Sequence, residues 1–241
     1  MIERNQLMQK QQFVMHLLPD EPLSDPRETH VWFCDLDNFR PSELTASCLS
    51  TSEHELVKRL KTEQDRKRLE NRFIFVRAVL GNITGIEPSS LEFSQSANGK
   101  PQLASSLHPN DGKTKRLDFN ISRTENILAL AVVFDNTTGI DIEAVKPRLD
   151  FFDLAMTHFN MASVDLLRAL PPSKAAPTFY RFWTRKEALA KMDGTGIAVQ
   201  PNTRSSNDSE LTLYSFEFKL DNQEIVGALA LRSSDLLMQQ N

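Results

Sequence analysis

Residues 127–134, ILALAVVF, are apolar at every position. A run this short cannot cross a membrane, and with no polar side it reads as a strand lying centrally in a sheet. Weaker strand patterns flank it, LDFNIS before and TGIDIEAV after. VWFCDL, from Val31, predicts an earlier strand. LEFSQSANGKPQL predicts strand, turn, strand, because Asn98-Gly99 supplies a left-handed turn. LTLYSFEFKL and EIVGALAL predict a closing hairpin. Helical spacing governs the rest. From Ser52 to about Gly85, Leu56, Leu60, Leu69, Phe73, Val76, Val79 and Leu80 return to one face, with a break or second short helix before Pro88. Residues 150–169 and 177–192 are also helical, separated by LPPSKAAP, whose prolines exclude a continuous helix. This order predicts an α+β fold of two similar α+β halves, residues 30–120 and 121–241, behind a polar arm over 1–29.

Composition narrows the function. With 241 residues and 40% hydrophobic content, the chain can bury one sizeable core or two small ones built as a pair. A net charge of −4 implies no global attraction to nucleic acid or a membrane surface. Cys34 and Cys48 show no metal-ligand spacing and read as reduced thiols of a cytoplasmic protein. The N-terminal apolar patch is interrupted by His16 and followed by acids and prolines, so neither a signal peptide nor a membrane span is expected.

The chemistry begins in TGIDIE. Side chains alternate along a strand, so Asp141 and Glu143 project to one side while Ile140 and Ile142 enter the core. Two adjacent carboxylates repel unless a cation lies between them, although a solvated strand face would look the same. In FWTRKEALAK, Glu187 and Lys191 stand four residues apart on one helical face. A packed helix bringing Glu187 towards Asp141 and Glu143 would complete an oxygen site suited to Mg²⁺. Phosphate chemistry also needs cations. Residues 56–77 hold eight Lys or Arg against three acids, Lys100 follows a turn, and Arg123 follows a short strand.

TGIDIE followed some 40 residues later by FWTRKEALAK resembles the paired signature of 4′-phosphopantetheinyl transferases of the surfactin-synthetase-activating type. NGKP and FNIS stand at the family's expected places. The resemblance covers roughly residues 55–200. It implies two halves related by a pseudo-twofold, with the active site between them. It also implies a cytoplasmic monomer that moves the phosphopantetheine arm of coenzyme A onto a serine of an apo carrier protein, releasing adenosine 3′,5′-bisphosphate. Carried over by position, Asp141, Glu143 and Glu187 match the metal ligands for Mg²⁺, and Lys191 matches the lysine beside the transferred phosphate. Arg68, Gly99, Lys100, Pro101, Asn120, Ser122 and Lys186 fall where the family contacts coenzyme A.

Two positions depart from the pattern. Arg123 replaces the family's histidine at the 3′-phosphate and retains the positive charge. Ser163 occupies the place of an acid read as base or metal ligand, with Asp165 two residues on, which leaves the general base open. A Mg²⁺-dependent nuclease or phosphatase would use similar carboxylates, and residues 56–77 as a nucleic-acid-binding helix is a further alternative.

Overall fold

The computed structural model describes residues 14–21, 23, 25, 28–41, 47–96, 99–104, 116–146, 151–194, 211–220 and 223–233. Strands β1 (Val14–His16), β2 (His30–Asp35), β5 (Leu117–Thr124) and β6 (Ile127–Phe134) form one sheet in the order β1-β2-β6-β5. The apolar run is β6, inside the sheet and antiparallel to both neighbours. Strands β3 (Phe93–Gln95) and β4 (Pro101–Leu103) pair around the turn that contains Gly99, whose φ of 82° suits glycine. Asn98 lies outside the described residues. The other large sheet, β7-β9-β8, is built from β7 (Asn136–Ala144), β8 (Leu211–Leu220) and β9 (Gln223–Ser233), with β8 and β9 as the expected hairpin.

The basic, periodic segment forms two helices, α1 (Thr51–Lys58) and α2 (Glu63–Thr84). The break falls at Thr62, whose hydroxyl caps α2 by accepting from the Asp65 N–H. Pro88–Ser90 add one 3₁₀ turn. Residues 151–169 also divide, into α3 (Phe151–His158) and α4 (Met161–Ala169), with Asn160 capping α4.

The long helix α5 (Pro172–Asp193) begins earlier than 177 and carries Pro177 inside it. Pro172 stands in the first turn, where a missing N–H costs nothing, and Pro177 follows within the next turn. The prolines that separate α4 from α5 therefore start the helix rather than delay it.

Four layers result. Val31, Phe33, Ile127, Ala129 and Ala131 of the first sheet pack face to face against Ile140, Ile142, Phe216, Phe218 and Leu229 of the second. The outer face of the first sheet, through Trp32, Leu128, Leu130 and Val132, rests on Phe75, Val76, Val79 and Leu80 of α2. The outer face of the second, through Ala228 and Ala230, rests on Ala188 and Met192 of α5.

Two expected boundaries move. A division after residue 120 would cut β5, which pairs with β6 along its whole length, so the sheets change over between Phe134 and Asn136. Within the arm assigned to 1–29, Val14–His16 form a strand parallel to β2. His16 is stacked on Trp32 there, with ring centroids 4.3 Å apart.

Candidate active site

The site grows from the alternation in β7. Ile140 and Ile142 are fully buried between the sheets, which turns Gly139, Asp141 and Glu143 towards α5. A Cβ on Gly139 would stand 2.1 Å from the Ala188 carbonyl oxygen and 2.4 Å from the Met192 nitrogen. Only glycine admits the helix backbone this closely, and that approach carries Lys191 to the strand. Gly194, with φ of 67°, then ends α5 by donating its N–H to the Ala190 carbonyl.

Lys191 Nζ lies 2.6 Å from Asp141 Oδ1 and 3.0 Å from Ser122 Oγ, and Ser122 donates to the same Asp141 oxygen at 2.9 Å. Asp141 is 4% exposed. Its second oxygen, Oδ2, is buried with no hydrogen-bond partner. Glu143 Oε2 accepts from the Thr124 hydroxyl at 3.2 Å.

All three acids carry raised pKa values. Burial raises that of Asp141 against the opposing effect of Lys191. Burial and then the Asp141 charge raise that of Glu143. The same two causes, in that order, push Glu187 up to about 7. Carboxyls that suppress one another's ionisation are short of positive charge.

An orphaned carboxylate oxygen beside two more acids is a hard-oxygen donor set that fits Mg²⁺. Among the described residues, no group of three or more acidic, histidine or cysteine side chains is placed to hold a metal ion, so the fit lies in the donor chemistry and not in a preformed geometry. Asp141 turns one oxygen to Lys191 instead.

A cavity of about 250 Å³ opens beside these groups. Gly99, Lys100 and Pro101 line one part of it, Asn120 and Ile121 another, and Glu187, Ala190 and Lys191 the helical side. Residues as far apart in sequence as Gly99 and Lys191 thus line one cavity.

The side-chain roles are narrower than implied. Lys100 Nζ is held by Asp118 Oδ2 at 2.6 Å and the Thr138 carbonyl at 2.8 Å. Asn120 and Ser122 direct their side-chain oxygens to backbone N–H groups of β7. Lys186 donates to the His158 carbonyl at 2.7 Å.

Arg68 and Arg123 border a second cavity, of about 210 Å³. Arg68 is tied to both oxygens of Asp37, at 2.7 and 2.6 Å, and Arg123 donates to the Glu125 carbonyl. Arg72 also lines this cavity, its Nε buried without a hydrogen-bond partner and its pKa lowered by burial and then by Arg123. Sequence reasoning passed over Arg72, although it follows Arg68 by one helical turn and so shares its face.

Two other cations of the basic segment, Arg77 and Arg66, are occupied within the protein. Arg77 is 3% exposed and holds Glu53, the Pro88 carbonyl and the Leu91 carbonyl. Arg66 donates to the Leu60 and Lys61 carbonyls. Ser163 sits in the first turn of α4 with its N–H bonded to Asn160, and Asp165 is exposed and paired with Arg168. Among the described residues, neither side chain is hydrogen-bonded or ion-paired to Asp141, Glu143, Glu187 or Lys191.

Carboxylate oxygens facing a lysine, with a guanidinium pocket nearby, are the groups that enzymes of phosphoryl transfer use. Comparison with known proteins makes the class specific. A model of the 4′-phosphopantetheinyl transferase superfamily matches residues 137–227, and a model of the 4′-phosphopantetheinyl transferase N-terminal region matches 38–134. The chain is 34% identical over 187 residues to the 4′-phosphopantetheinyl transferase HetI of Nostoc sp. strain PCC 7120, covering 75% of this chain and 76% of that one. It is 26% identical over 171 residues to a protein of Synechocystis sp. strain PCC 6803 named as a putative enzyme of the same kind, covering 71% and 67%. A 4′-phosphopantetheinyl transferase of Bacillus subtilis is 26% identical over 153 residues, covering 64% and 63%. The chain belongs to the 4′-phosphopantetheinyl transferase family.

Proposed function

We propose that this transferase moves the phosphopantetheine arm of coenzyme A onto a serine of an apo carrier protein, with Mg²⁺, at a site between two pseudo-twofold-related halves. The observation that carries the reading is the shared cavity wall, where the Gly99–Pro101 turn and Asn120 meet Glu187 and Lys191, and Lys191 reaches Asp141 behind it. Asp141, Glu143 and Glu187 would hold the Mg²⁺, which supplies positive charge to the pyrophosphate when bound. Lys191 adds its own charge to the phosphoryl group being transferred. The serine Oγ forms the new bond to phosphorus as the bond to the adenosine bisphosphate oxygen breaks. A carboxylate of the site or a bound water takes the serine proton. Arg72 and Arg123 receive the 3′-phosphate.

Intact mass after incubation with coenzyme A, Mg²⁺ and a panel of apo carrier proteins tests the whole reading. A gain of one phosphopantetheine supports it. No gain on any carrier, with release of free phosphate or cut nucleic acid instead, would transfer the site to the phosphohydrolase or nuclease alternative. Arg123→Ala should weaken coenzyme A on the order of tenfold and 3′-dephospho-coenzyme A far less, as expected for the loss of one charge-assisted contact. Equal damage to both substrates would remove Arg123 from the 3′-phosphate.

A further inference from the structure

β5 and β7 are edge strands of different sheets, and they lie side by side without a backbone ladder between them. Every second residue of β5 replaces one instead. Asp118 Oδ2 accepts the Thr138 N–H at 2.7 Å, and Asn120 Oδ1 accepts the Ile140 N–H at 3.0 Å. Ser122 Oγ accepts the Ile142 N–H at 3.2 Å, and Thr124 Oγ1 accepts the Ala144 N–H at 3.0 Å. The offset is 20 residues at each of the four rungs, so the strands run in the same direction in strict register. All four residues are at most 7% exposed. Side-chain oxygens thus satisfy the N–H edge that β7 would otherwise bury unpaired.

Three rungs continue into the active site. Asp118 also receives Lys100 Nζ. Ser122 gives its proton to Asp141 Oδ1 and accepts from Lys191, which fills its one donor and both lone pairs. Thr124 gives its proton to Glu143 Oε2. A hydroxyl anchored by a β7 N–H can donate in only a narrow range of directions, so it fixes which way the carboxylate faces.

We propose that Ser122 and Thr124 are positioning residues of the transferase: while bonding the two sheets together, their hydroxyls aim Asp141 and Glu143 at the cation site. The proposal rests on the Mg²⁺ reading of that site. Thr124 isolates it best, because among the acids Thr124 touches Glu143 alone and valine matches its shape without the hydroxyl.

Mn²⁺ serves as the probe, bound to the full-length protein and followed by loss of the free-ion EPR signal. Coenzyme A affinity is measured separately without metal. Thr124→Val should weaken Mn²⁺ on the order of tenfold, Thr124→Ser should restore it, and coenzyme A affinity should be unchanged in both. In a Glu143→Ala background, Thr124→Val should cost nothing further, because its partner is already removed. If Thr124→Val does not fold, Thr124→Ala enters the same cycle with the same expectation. Wild-type Mn²⁺ affinity in the hydroxyl-less variant, or additive losses in the double variant, would overturn the positioning role and leave the metal site standing. Failure of the wild-type protein itself to take up Mn²⁺ would overturn the metal reading, and this inference with it.

Discussion

Asp141 stands at the centre of the site because its two oxygens have opposite circumstances. Oδ1 is matched by Lys191 and Ser122, while Oδ2 is buried without a partner. Lys191→Met removes the cation and leaves a buried acid that can only protonate. A loss of about 2 kcal/mol in urea unfolding is expected, with transfer reduced at least about a hundredfold. Glu187→Gln acts in the other direction on stability. Without Mg²⁺ it removes one of three mutually repelling acids, so the melting temperature should rise by about 2–4 °C while transfer is lost. An unchanged or lower melting temperature would show that Glu187 is not in charge conflict with Asp141 and Glu143. At the second cavity, the Arg68 guanidinium holds Asp37 below its ordinary pKa. A depressed folded-state pKa gives stability that is present above the unfolded value, near 3.9, and is lost as pH falls through the folded value. Asp37→Asn should therefore be less stable than wild type at pH 7, by under about 1 kcal/mol for a partly solvent-screened pair, and the two proteins should converge in acid. A gap that persists at pH 2 would assign the loss to packing.

At the scale of elements, α5 and β7 act as one unit because Gly139 lets them touch. Gly139→Ala places a methyl against helix backbone, which cannot swing aside as a side chain can. The helix must shift, at a cost of about 1–3 kcal/mol, and Lys191 shifts with it. A fall in kcat of about a hundredfold with a small change in coenzyme A KM is expected. Equal loss in both would mean that the whole cavity had opened. The sequence made much of this legible. Alternation in TGIDIE and the four-residue spacing of Glu187 and Lys191 are local patterns, and their faces follow from strand and helix periods. What it hid was partnership across distance. Lys191 reads as the partner of Glu187 but pairs with Asp141, 50 residues away. The alternate polar residues Asp118, Asn120, Ser122 and Thr124 are visible as a period of two, yet nothing local says that their acceptors serve another strand's N–H groups. Pro177 misled for a related reason: its local cost is real, but packing of Phe179 and Ala176 against the helical cluster holds the turn in place.

At the scale of the whole molecule, the two sheets share a core rather than abut. Ile140, Ile142 and Phe216 meet Val31, Phe33 and Ala129 in one cluster, and the polar rungs from β5 bind its edge. Neither sheet keeps its inner face covered when the other unfolds. Calorimetry should therefore show one transition with a calorimetric to van't Hoff enthalpy ratio of about 1. Two resolved transitions would mean that the halves fold separately.

The four rungs also bear on how the protein fails. A strand whose N–H groups are satisfied by hydroxyl, amide and carboxylate oxygens is capped against every other chain in solution. Peeling β5 from β7 exposes an unpaired edge on each, next to the apolar ILALAVVF strand and the inner face of β7. Such edges recruit strands from neighbouring copies. Substitutions that strip the rungs should therefore also appear as precipitation during expression or on gentle heating.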